Sequence, residues 1–469
     1  MNSTDKRRAY FDAQADERDH WRLRNTTYHR EIERVMKFIV PEGSEVLEVG
    51  SATGELLASL RPSRGFGIDV SARMTARAKS KYPQYEWQEG DIEHIRIEEK
   101  FSYVVMSDVV GLLDDIETAF RSLAHACDSH TRLVITHYNY MWEPLLLLAE
   151  RLHLKAKQPL QNWMSRHDVG NFLELAGFEV IKQGRSTLLP VYIPIISHVL
   201  NTYIARLPIM NRLCVIEYAV ARLAPRDRKE YTVSIVIPAR NEKGNIERAI
   251  QETPDFGLSN EIIFIEGGSS DGTYEEIVRV AEAYVGKRNI RYAKQEGKGK
   301  GDAVRKGFAM AKGEVLMVLD ADLTVRPKEL PKFYDALASG RGEYANGSRL
   351  VYPLGDESMR FLNILGNKFF SIAFSWLLSL RIKDTLCGTK VLFKKDYEAI
   401  ARGRSYFGDF DPFGDFDLLF GAAKLNLKFV EIPIRYQART YGSTNISRWK
   451  HGWLLLKMTF FAMRKIKFF

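Results

Sequence analysis

Two aspartates separated by one residue follow an apolar stretch in the segment EVLMVLDADLTVRP. These are Asp320 and Asp322, and alternate residues at the end of a strand face the same side of a sheet. Both carboxylates can therefore reach one hard divalent cation. A Mg²⁺ or Mn²⁺ ion held there would clamp a diphosphate and neutralise the leaving group. The spacing predicts a metal site for phosphate chemistry, with Asp320 and Asp322 as its ligands.

Three segments upstream supply further groups for the same kind of ligand. VSIVIPARNE ends a predicted strand and carries Pro238, Arg240 and Glu242, and IIFIEGGSSDGT places Glu266 at the end of the next one. KQEGKGKGDAVRKGF is a glycine-rich, positively charged loop that leads into a helix and suits an anionic phosphate chain. Paired acids at a strand end are common by chance, but the four segments together indicate a site for a sugar nucleotide.

A second group of polar strand ends lies in the first half of the chain. In VLEVGSATGELL, small residues let a ligand approach the backbone, and the start of the following helix favours polar or anionic groups. Asp69 ends the next predicted strand, where a carboxylate can accept both hydroxyls of a ribose. Asp91 ends the third, where it can meet an adenine amino group. This series predicts a nucleoside cofactor site.

Alternating strands and helices must position both groups. EVLEV, GFGIDV, YEWQEG, FSYVVMS and RLVITHY are predicted strands of a first unit, residues 1–186, and a new β–α alternation fills residues 230–437. This pattern predicts an α/β chain with two Rossmann-like parallel-sheet domains. Residues 187–229 are predicted to be a helical connector that ends in the charged run APRDRKE, and residues 438–469 a basic, aromatic tail.

The composition excludes several classes of protein. A length of 469 residues predicts two or three domains, and 45% hydrophobic with 27% charged residues excludes a disordered or fibrous chain. Three distant cysteines exclude a disulfide scaffold and a zinc cluster, and fit a reducing compartment. The net charge of +9 suits an anionic partner such as a nucleotide, a phospholipid or a nucleic acid.

Membrane insertion is not expected from the apolar stretches. The N-terminus is charged throughout, so no secretory signal is predicted. Residues 369–380 are too few to span a bilayer, and residues 186–205 are interrupted by two prolines and by polar side chains. We therefore expect a soluble or membrane-peripheral protein.

Residues 25–186 resemble the class I S-adenosylmethionine-dependent methyltransferases, whose first motif matches VLEVGSATG with an alanine where a glycine is usual. SDVVGLLDD after the fourth strand lacks the Asn/Asp-Pro-Pro-aromatic tetrapeptide typical of adenine amino-group methylation, which argues against nucleic-acid bases as substrates. The resemblance implies S-adenosylmethionine as cofactor, bound by Glu48, Gly50, Ala52, Gly54, Asp69, Asp91 and Asp108.

A methyl-acceptor oxygen needs a base, and His137, Tyr138 and Asn139 follow the fifth strand. Only His137 has a suitable unperturbed pKa, so it is the candidate catalytic base. A surface or helix-capping role for this histidine is the alternative.

Residues 233–457 resemble family 2 glycosyltransferases of the GT-A fold, of the dolichol- or polyprenyl-phosphate mannosyltransferase type. The matching segments are LDADL, GKGKGDAVRKGF, NGSRL, DTLCGTKVLFKK, FGDFDLLFGAAK and IPIRYQARTYGSTNISRWKHGW. The resemblance implies catalytic roles for Asp322, Asp384, Asp415 and Arg349. It implies nucleotide-sugar contacts from Pro238, Arg240, Glu242, Glu266, Lys300, Asp302, Asp320, Ala321, Asp322, Arg349, Arg360, Arg439 and Ser443. Glu266 and Gly267 stand where two aspartates are usual, which leaves GDP- and UDP-sugars both open as donors.

A lipid-phosphate acceptor would already be ionised at neutral pH, so no strong general base is required. Positioning and charge screening would come from the metal and from Arg349, Arg360 and Arg439. The resemblance implies inversion at the anomeric carbon by in-line displacement.

The C-terminal segment is basic and aromatic. From Arg439 to Phe469 there are seven Lys or Arg residues and no Asp or Glu, with tryptophans and phenylalanines between them. Such a segment is expected to lie in the interface of an anionic bilayer. A docked core helix with a solvated basic face and an RNA-binding surface are the alternatives. No nucleic-acid motif accompanies the segment, so no nucleic-acid partner is expected.

These observations predict a bifunctional enzyme. It would move a sugar from a nucleotide sugar to a polyprenyl (dolichyl or undecaprenyl) phosphate, at the cytoplasmic, inner face of the cell membrane, and would carry a methyltransferase. One alternative is a surface-glycan glycosyltransferase with a glycan-methylating domain. Another is a methyltransferase-like domain that binds without catalysis.

Overall fold

The computed structural model describes residues 3–159, 161–225, 227–349, 361–404, 414–435, 437, 439, 441–442 and 448–468. The chain divides into two compact units, Met1–Ala224 with the last two residues, and Pro225–Lys467. Each unit contains one seven-stranded sheet.

The first unit places helices around its sheet. Its strands are β1 (Glu45–Val49), β2 (Arg64–Asp69), β3 (Glu86–Glu89), β4 (Tyr103–Ser107), β5 (Arg132–Tyr138), β6 (Phe178–Ser186) and β7 (Ile216–Leu223). Its helices are α1 (Ser3–Gln14), α2 (Arg18–Arg24), α3 (Thr26–Ile39), α4 (Glu55–Leu60), α5 (Ala72–Lys81), α6 (Ile116–Leu123), α7 (Glu143–Arg151), α8 (Arg166–Leu175) and α9 (Ile196–Thr202).

The strand order of the first sheet is β3-β2-β1-β4-β5-β7-β6. The first five strands are parallel, and β7 runs antiparallel between β5 and β6. The central strands β1, β4 and β5 are almost wholly buried, as expected for apolar runs covered on both faces by helices. Their carboxyl ends therefore form one edge, where the loops carry the candidate cofactor residues.

The end of the first unit differs from the predicted boundary at residue 186. Ile216–Leu223 is a buried strand of the first sheet, not part of a connector, and the unit extends to Ala224. The strand pairs with β5 and β6, which are distant in sequence, so no local pattern shows its place. Residues 187–224 therefore belong to the first unit, and the second unit begins at Pro225.

The second unit repeats the layered arrangement with its own elements. Its strands are β8 (Thr232–Ala239), β9 (Ser259–Glu266), β10 (Asn289–Lys294), β11 (Val315–Val318), β12 (Tyr344–Ser348), β13 (Lys390–Phe393) and β14 (Phe429–Pro433). Its helices are α10 (Lys243–Glu252), α11 (Thr273–Ala283), α12 (Lys300–Met310), α13 (Leu330–Ala338), α14 (Phe361–Leu378), α15 (Lys394–Arg402), α16 (Asp415–Lys424) and α17 (Arg448–Ala462).

The strand order of the second sheet is β10-β9-β8-β11-β13-β12-β14. Strands β8 to β11 are parallel, β13 is antiparallel to both β11 and β12, and β12 is parallel to β14. The predicted α/β class with two Rossmann-like, mostly parallel sheets is therefore confirmed. Over the described ranges, none of the helices is both long and apolar enough to cross a bilayer.

Candidate active sites

Asp320 follows β11 and faces the first residue of α12. The Nζ atom of Lys300 lies 2.6 Å from Asp320 Oδ1. Burial of the carboxyl group works against its charged form, but Lys300, then Arg349 and Lys390, more than offset this and lower the pKa of Asp320. Asp320 is therefore ionised at neutral pH and lies in a strongly cationic environment.

Gly388 closes over the same carboxylate. A Cβ atom added at Gly388 would lie 2.0 Å from Asp320 Oδ2 and 2.5 Å from Lys300 Nζ. Real Cβ atoms do not approach so closely, so a side chain at position 388 would push the Asp320 carboxylate and the Lys300 ammonium out of their places. The segment DTLCGTK, one of those that resemble the glycosyltransferase family, therefore lies beside the candidate metal site.

Asp322 is held on both of its oxygens. Its Oδ1 accepts hydrogen bonds from Thr324 N (3.1 Å) and Thr324 Oγ1 (2.9 Å). Its Oδ2 accepts from Arg439 Nη2 at 2.8 Å, while Arg439 Nη1 donates to Glu242 Oε1 at 2.7 Å. Arg439 thus joins Glu242, which directly precedes α10, to Asp322, which follows β11.

Arg349 and Asp384 form a bidentate pair. Arg349 Nε and Nη2 lie 2.7 and 2.9 Å from the two carboxylate oxygens, and Arg349 N donates to the same group at 3.0 Å. Asn367 Nδ2 adds a further donor at 2.8 Å. Asp384 has no exposed surface. Burial alone would raise its pKa, but the Arg349 guanidinium lowers the pKa of Asp384 to about 2. The geometry makes Asp384 a positioning residue for Arg349, rather than a group presented to substrate.

Lys390 acts electrostatically on the Asp320 carboxylate, although the sequence pattern does not single it out. It is fully buried, and its Nζ donates to Asn346 Oδ1 at 2.7 Å and to the carbonyl oxygen of Cys387. Its charge also contributes to the lowered pKa of Asp320. A lysine in an otherwise apolar strand, KVLF, was the available signal.

The other residues predicted for this site differ in burial and in hydrogen bonding. Glu266 is buried at the end of β9 and accepts from Ser269 N at 2.5 Å. Asp302 accepts from Gly297 N at 2.9 Å and so holds the glycine-rich loop. Pro238 is half-buried, Ala321 is buried and Arg240 is exposed. The following lie outside the described residues: Arg360, Ser443 and the side chain of Asp415.

The residues after β11 fit a divalent cation. Asp320 and Asp322 offer hard oxygen donors, and each is paired with a basic side chain. Among the residues that the structure describes, no cluster of three acidic, histidine or cysteine side chains could hold a metal alone. Mg²⁺ is commonly bound by one or two carboxylates together with substrate phosphates, so two aspartates suffice as the protein's share.

In the first unit, the glycine turn and Asp69 form one structure. Gly50, Ala52 and Gly54 all have positive φ, at 71°, 45° and 86°. Asp69 Oδ2 accepts from Ala52 N at 2.8 Å and Oδ1 from Ser71 N at 2.9 Å. Burial raises the pKa of Asp69, and the two backbone donors partly offset it. The carboxylate is thus fixed beside the turn, where a ribose could bind.

Glu48 points toward the start of α4. Its Oε2 accepts from Leu57 N at 3.0 Å, and burial raises the pKa of Glu48 to about 8. The side chain therefore satisfies a free amide of the first helical turn. This contact places Glu48 behind the turn and adds a structural role to the predicted cofactor contact.

Asp91 is engaged by the N-terminal helix. Arg7 Nη2 lies 2.6 Å from Asp91 Oδ2, and Thr4 Oγ1 donates to the same oxygen at 3.0 Å. Arg7 Nη1 also pairs with Glu93 at 2.9 Å. A second tie, from Ser71 Oγ to Asp12 Oδ1 at 2.6 Å, fixes α1 near the carboxyl ends of β2 and β3. An adenine at Asp91 would share that carboxylate with Arg7, a contact that the sequence did not predict.

Asp108 and His137 line a common cleft after β4 and β5. Asp108 accepts from Tyr28 Oη at 2.6 Å and from Thr136 Oγ1 at 3.1 Å, and burial raises its pKa. His137 Nδ1 lies 3.1 Å from Tyr138 O, and Nε2 lies 3.9 Å from Glu217 Oε2. Burial lowers the pKa of His137, which keeps the ring neutral and able to accept a proton. The cleft is open to solvent and is also lined by Gly111, Tyr138, Asn162 and Trp163.

The arrangement fits an S-adenosylmethionine-type ligand. The left-handed turn brings backbone close to the strand edge, and Asp69 is fixed beside it. Asp91 and Asp108 follow β3 and β4, so the acids lie along one edge of the sheet. The sequence-predicted residues are therefore brought together, with Glu48 behind the turn.

Each unit of the chain matches a known family model. Residues 20–183 match the family model described as "Methyltransferase domain". Residues 234–398 match "Glycosyl transferase family 2".

Curated relatives match the second unit. A dolichol-phosphate mannosyltransferase of Pyrococcus furiosus is 31% identical over 219 residues, which make up 46% of this chain and 59% of that protein. Glycosyltransferase AglJ of Haloferax volcanii is 28% identical over 225 residues, or 48% of this chain and 69% of that protein. The chain thus spans about three fifths of the length of the first relative.

A solved structure resembles the first unit. It is a SAM-dependent methyltransferase of Thermotoga maritima, described as a possible histamine N-methyltransferase. The match covers 46% of this chain and 99% of that protein, with 17% identity and a TM-score of 0.38.

Proposed function

We propose that this chain, which joins a methyltransferase domain to a family 2 glycosyltransferase domain, transfers a sugar from a nucleotide sugar to a polyprenyl phosphate. The observation that carries this proposal is the charge arrangement after β11. Asp320 and Asp322 are each paired with one basic side chain, Lys300 and Arg439 respectively. The relative from Pyrococcus furiosus is named a dolichol-phosphate mannosyltransferase, which supports a lipid phosphate as the acceptor.

The basic side chains and the aspartates have complementary uses. A nucleotide diphosphate brings the negative charge that Lys300 and Arg439 can bind in exchange for their carboxylate partners. Asp320 and Asp322 would then hold Mg²⁺ or Mn²⁺, which supplies charge neutralisation at the leaving diphosphate. Both requirements are met by the same four residues, which favours a metal-dependent transfer.

The acceptor phosphate needs positioning more than activation. A phosphate oxygen attacks the anomeric carbon, the bond from that carbon to the diphosphate breaks, and in-line attack inverts the configuration. The acceptor is already ionised at neutral pH, so no side chain has to remove a proton. Arg349, held by Asp384 on two carboxylate oxygens, is oriented to bind one of the phosphates.

For the first unit we propose S-adenosylmethionine-dependent methyl transfer. Asp69 would bind the ribose, Asp91 the adenine side and His137 would accept the proton of the methyl acceptor. The neutral His137 at the edge of the cleft supports this role. Titration calorimetry with S-adenosylmethionine and S-adenosylhomocysteine tests cofactor binding. No heat with either ligand would contradict the assignment.

The proposed location is the cytoplasmic, inner face of the cell membrane, as a peripheral protein. α17 buries Leu455 and Met458 but exposes Trp453, Leu456 and Phe460. The helix is therefore docked on one side and presents an apolar face on the other, which supports attachment to an anionic bilayer. The basic residues Lys457, Arg464 and Lys465 would add attraction to lipid headgroups.

Radiolabel partition tests the glycosyl transfer. Nucleotide sugars of the GDP and UDP classes, labelled in the sugar, are incubated with polyprenyl phosphate and Mn²⁺. We expect label in the chloroform-soluble product and a loss of that product when EDTA is added. Label that enters only a water-soluble polymer would instead favour a surface-glycan acceptor.

A further inference from the structure

The segment between β6 and β7 exposes large apolar side chains. Residues 188–213 include Tyr192, Ile195 and Ile209, whose exposed fractions are 71, 80 and 75%. Scattered apolar residues on a protein surface are ordinary, but a contiguous group marks a site of interaction. This segment, with α7, is called the β6–β7 surface below.

The polar side chains of this segment face inward. Asn201 and Ser197 are buried. Asn201 Oδ1 accepts from Leu188 N and Leu189 N at 2.9 and 2.8 Å, and Asn201 Nδ2 donates to Leu189 O at 2.8 Å. Ser197 Oγ donates to Val191 O at 2.7 Å. These backbone polar groups are thus hydrogen-bonded within the segment, while its apolar side chains point outward. An apolar environment favours this arrangement, because an unpaired polar group would be costly there.

α7 extends the same surface. Leu145 and Leu148 on this helix are exposed. Trp142 Nε1 donates to Leu213 O at 2.8 Å, and Asn139 Nδ2 donates to Cys214 O at 2.9 Å. These bonds join the start of α7 to the end of residues 188–213. Asn139 directly follows His137 and Tyr138, the two residues of β5 that line the cleft of the first unit. The β6–β7 surface therefore borders this cleft.

The exposed charged side chains around the surface are basic. In residues 143–166 and 187–215 they are Arg151, Lys157 and Arg212. The two acids of α7, Glu143 and Glu150, are half-buried, and Glu150 pairs with Lys155 at 2.7 Å. A basic border around an apolar centre is complementary to anionic lipid headgroups above acyl chains. In a symmetric contact between two copies the same border would face itself, which like charges oppose.

We propose that the β6–β7 surface docks the methyltransferase unit into a lipid bilayer. This attachment is separate from the one proposed for α17, because it lies in the other unit and depends on aliphatic and tyrosine side chains. It places the cleft lined by His137 and Tyr138 beside the membrane. The proposal does not depend on either enzymatic activity.

Vesicle cosedimentation of the full chain tests the proposal. The test variant is Tyr192→Ser with Ile209→Ser, and the matched control is Leu23→Ser with Val285→Ser, two apolar residues that are each 76% exposed elsewhere on the chain. The vesicles contain phosphatidylcholine and phosphatidylglycerol. About 1 M salt shortens the Debye length to roughly 3 Å and suppresses the attraction of basic residues.

We expect wild type and control to remain bound in high salt, and the test variant to partition at least tenfold more weakly. Equal binding of test variant and control would overturn the proposal. Sedimentation velocity without lipid tests whether the surface instead binds a second copy of this chain. A wild-type dimer that the test variant turns into a monomer would assign the surface to self-association and would also overturn it. Calorimetry with S-adenosylmethionine on the same samples measures cofactor binding. A failure of the methyltransferase assignment can therefore be told apart from a failure of membrane docking.

Discussion

Lys300 Nζ lies 2.6 Å from Asp320 Oδ1, which joins the first residue of α12 to the loop after β11. A lysine at a helix N-terminus is disfavoured by the helix dipole, and a negative partner offsets this effect. Asp320 is that partner in this structure. A sugar-nucleotide diphosphate would supply the same charge, so we expect Lys300 to bind the phosphate chain.

Lys300→Met is expected to weaken nucleotide-sugar binding by about 1.5–3 kcal/mol, the usual loss for a hydrogen bond with a charged group. Lys306→Met is the matched control, because Lys306 lies on the same helix and pairs with the exposed Glu296. Calorimetry with the nucleotide sugar measures both variants. Equal affinities would place the diphosphate elsewhere.

Gly388→Ala is expected to lower sugar transfer by about 10²-fold, the effect of a displacement near 1 Å at a catalytic group. The new methyl group would meet Asp320 and Lys300 at 2.0 and 2.5 Å. Gly366→Ala is the control, since no other described residue outside the backbone of its own helix comes within 4 Å of its added Cβ. Initial rates give the comparison, with thermal melting to verify folding. Full activity of Gly388→Ala would show that Asp320 need not stay in place.

Asp69→Ala is expected to weaken S-adenosylmethionine binding by about 1.5–3 kcal/mol. The carboxylate is fixed by Ala52 N and Ser71 N at the glycine turn, where the ribose is proposed to bind. Calorimetry measures the change, and Asp128→Ala, on a loop of the same unit, serves as control. An unchanged dissociation constant would mean that the cofactor does not contact Asp69.

Acid is expected to destabilise the second unit through Asp384. Its pKa is about 2 in the folded chain, against 3.8 ordinarily, because Arg349 favours the carboxylate. A depressed folded-state pKa gives stability that is present above pH 4 and lost as the pH falls toward 2. Its size is about 2–3 kcal/mol. Urea unfolding between pH 2 and 6 measures this slope. Asp384→Asn should flatten it, and an identical slope in the variant would contradict the assignment.

The sequence predicted the sheets and the strand-end acids because both are local features. Apolar runs set the strands, and carboxyl ends of parallel strands share one edge. It could not show that Arg439 bridges Asp322 and Glu242, since those contacts join distant parts of the chain. For the same reason the sequence does not reveal the Arg7–Asp91 pair. It does not single out the buried Lys390 either, because a lone lysine in a strand has no distinctive spacing.

The most direct test of the central claim is sugar transfer by Asp322→Asn. The full chain is incubated with a labelled nucleotide sugar, polyprenyl phosphate and Mn²⁺, and label in the chloroform phase is counted beside calorimetry with S-adenosylmethionine. We predict that the variant makes no chloroform-soluble product and binds S-adenosylmethionine with wild-type affinity. Metal-dependent product formation at the wild-type rate by Asp322→Asn would contradict the account.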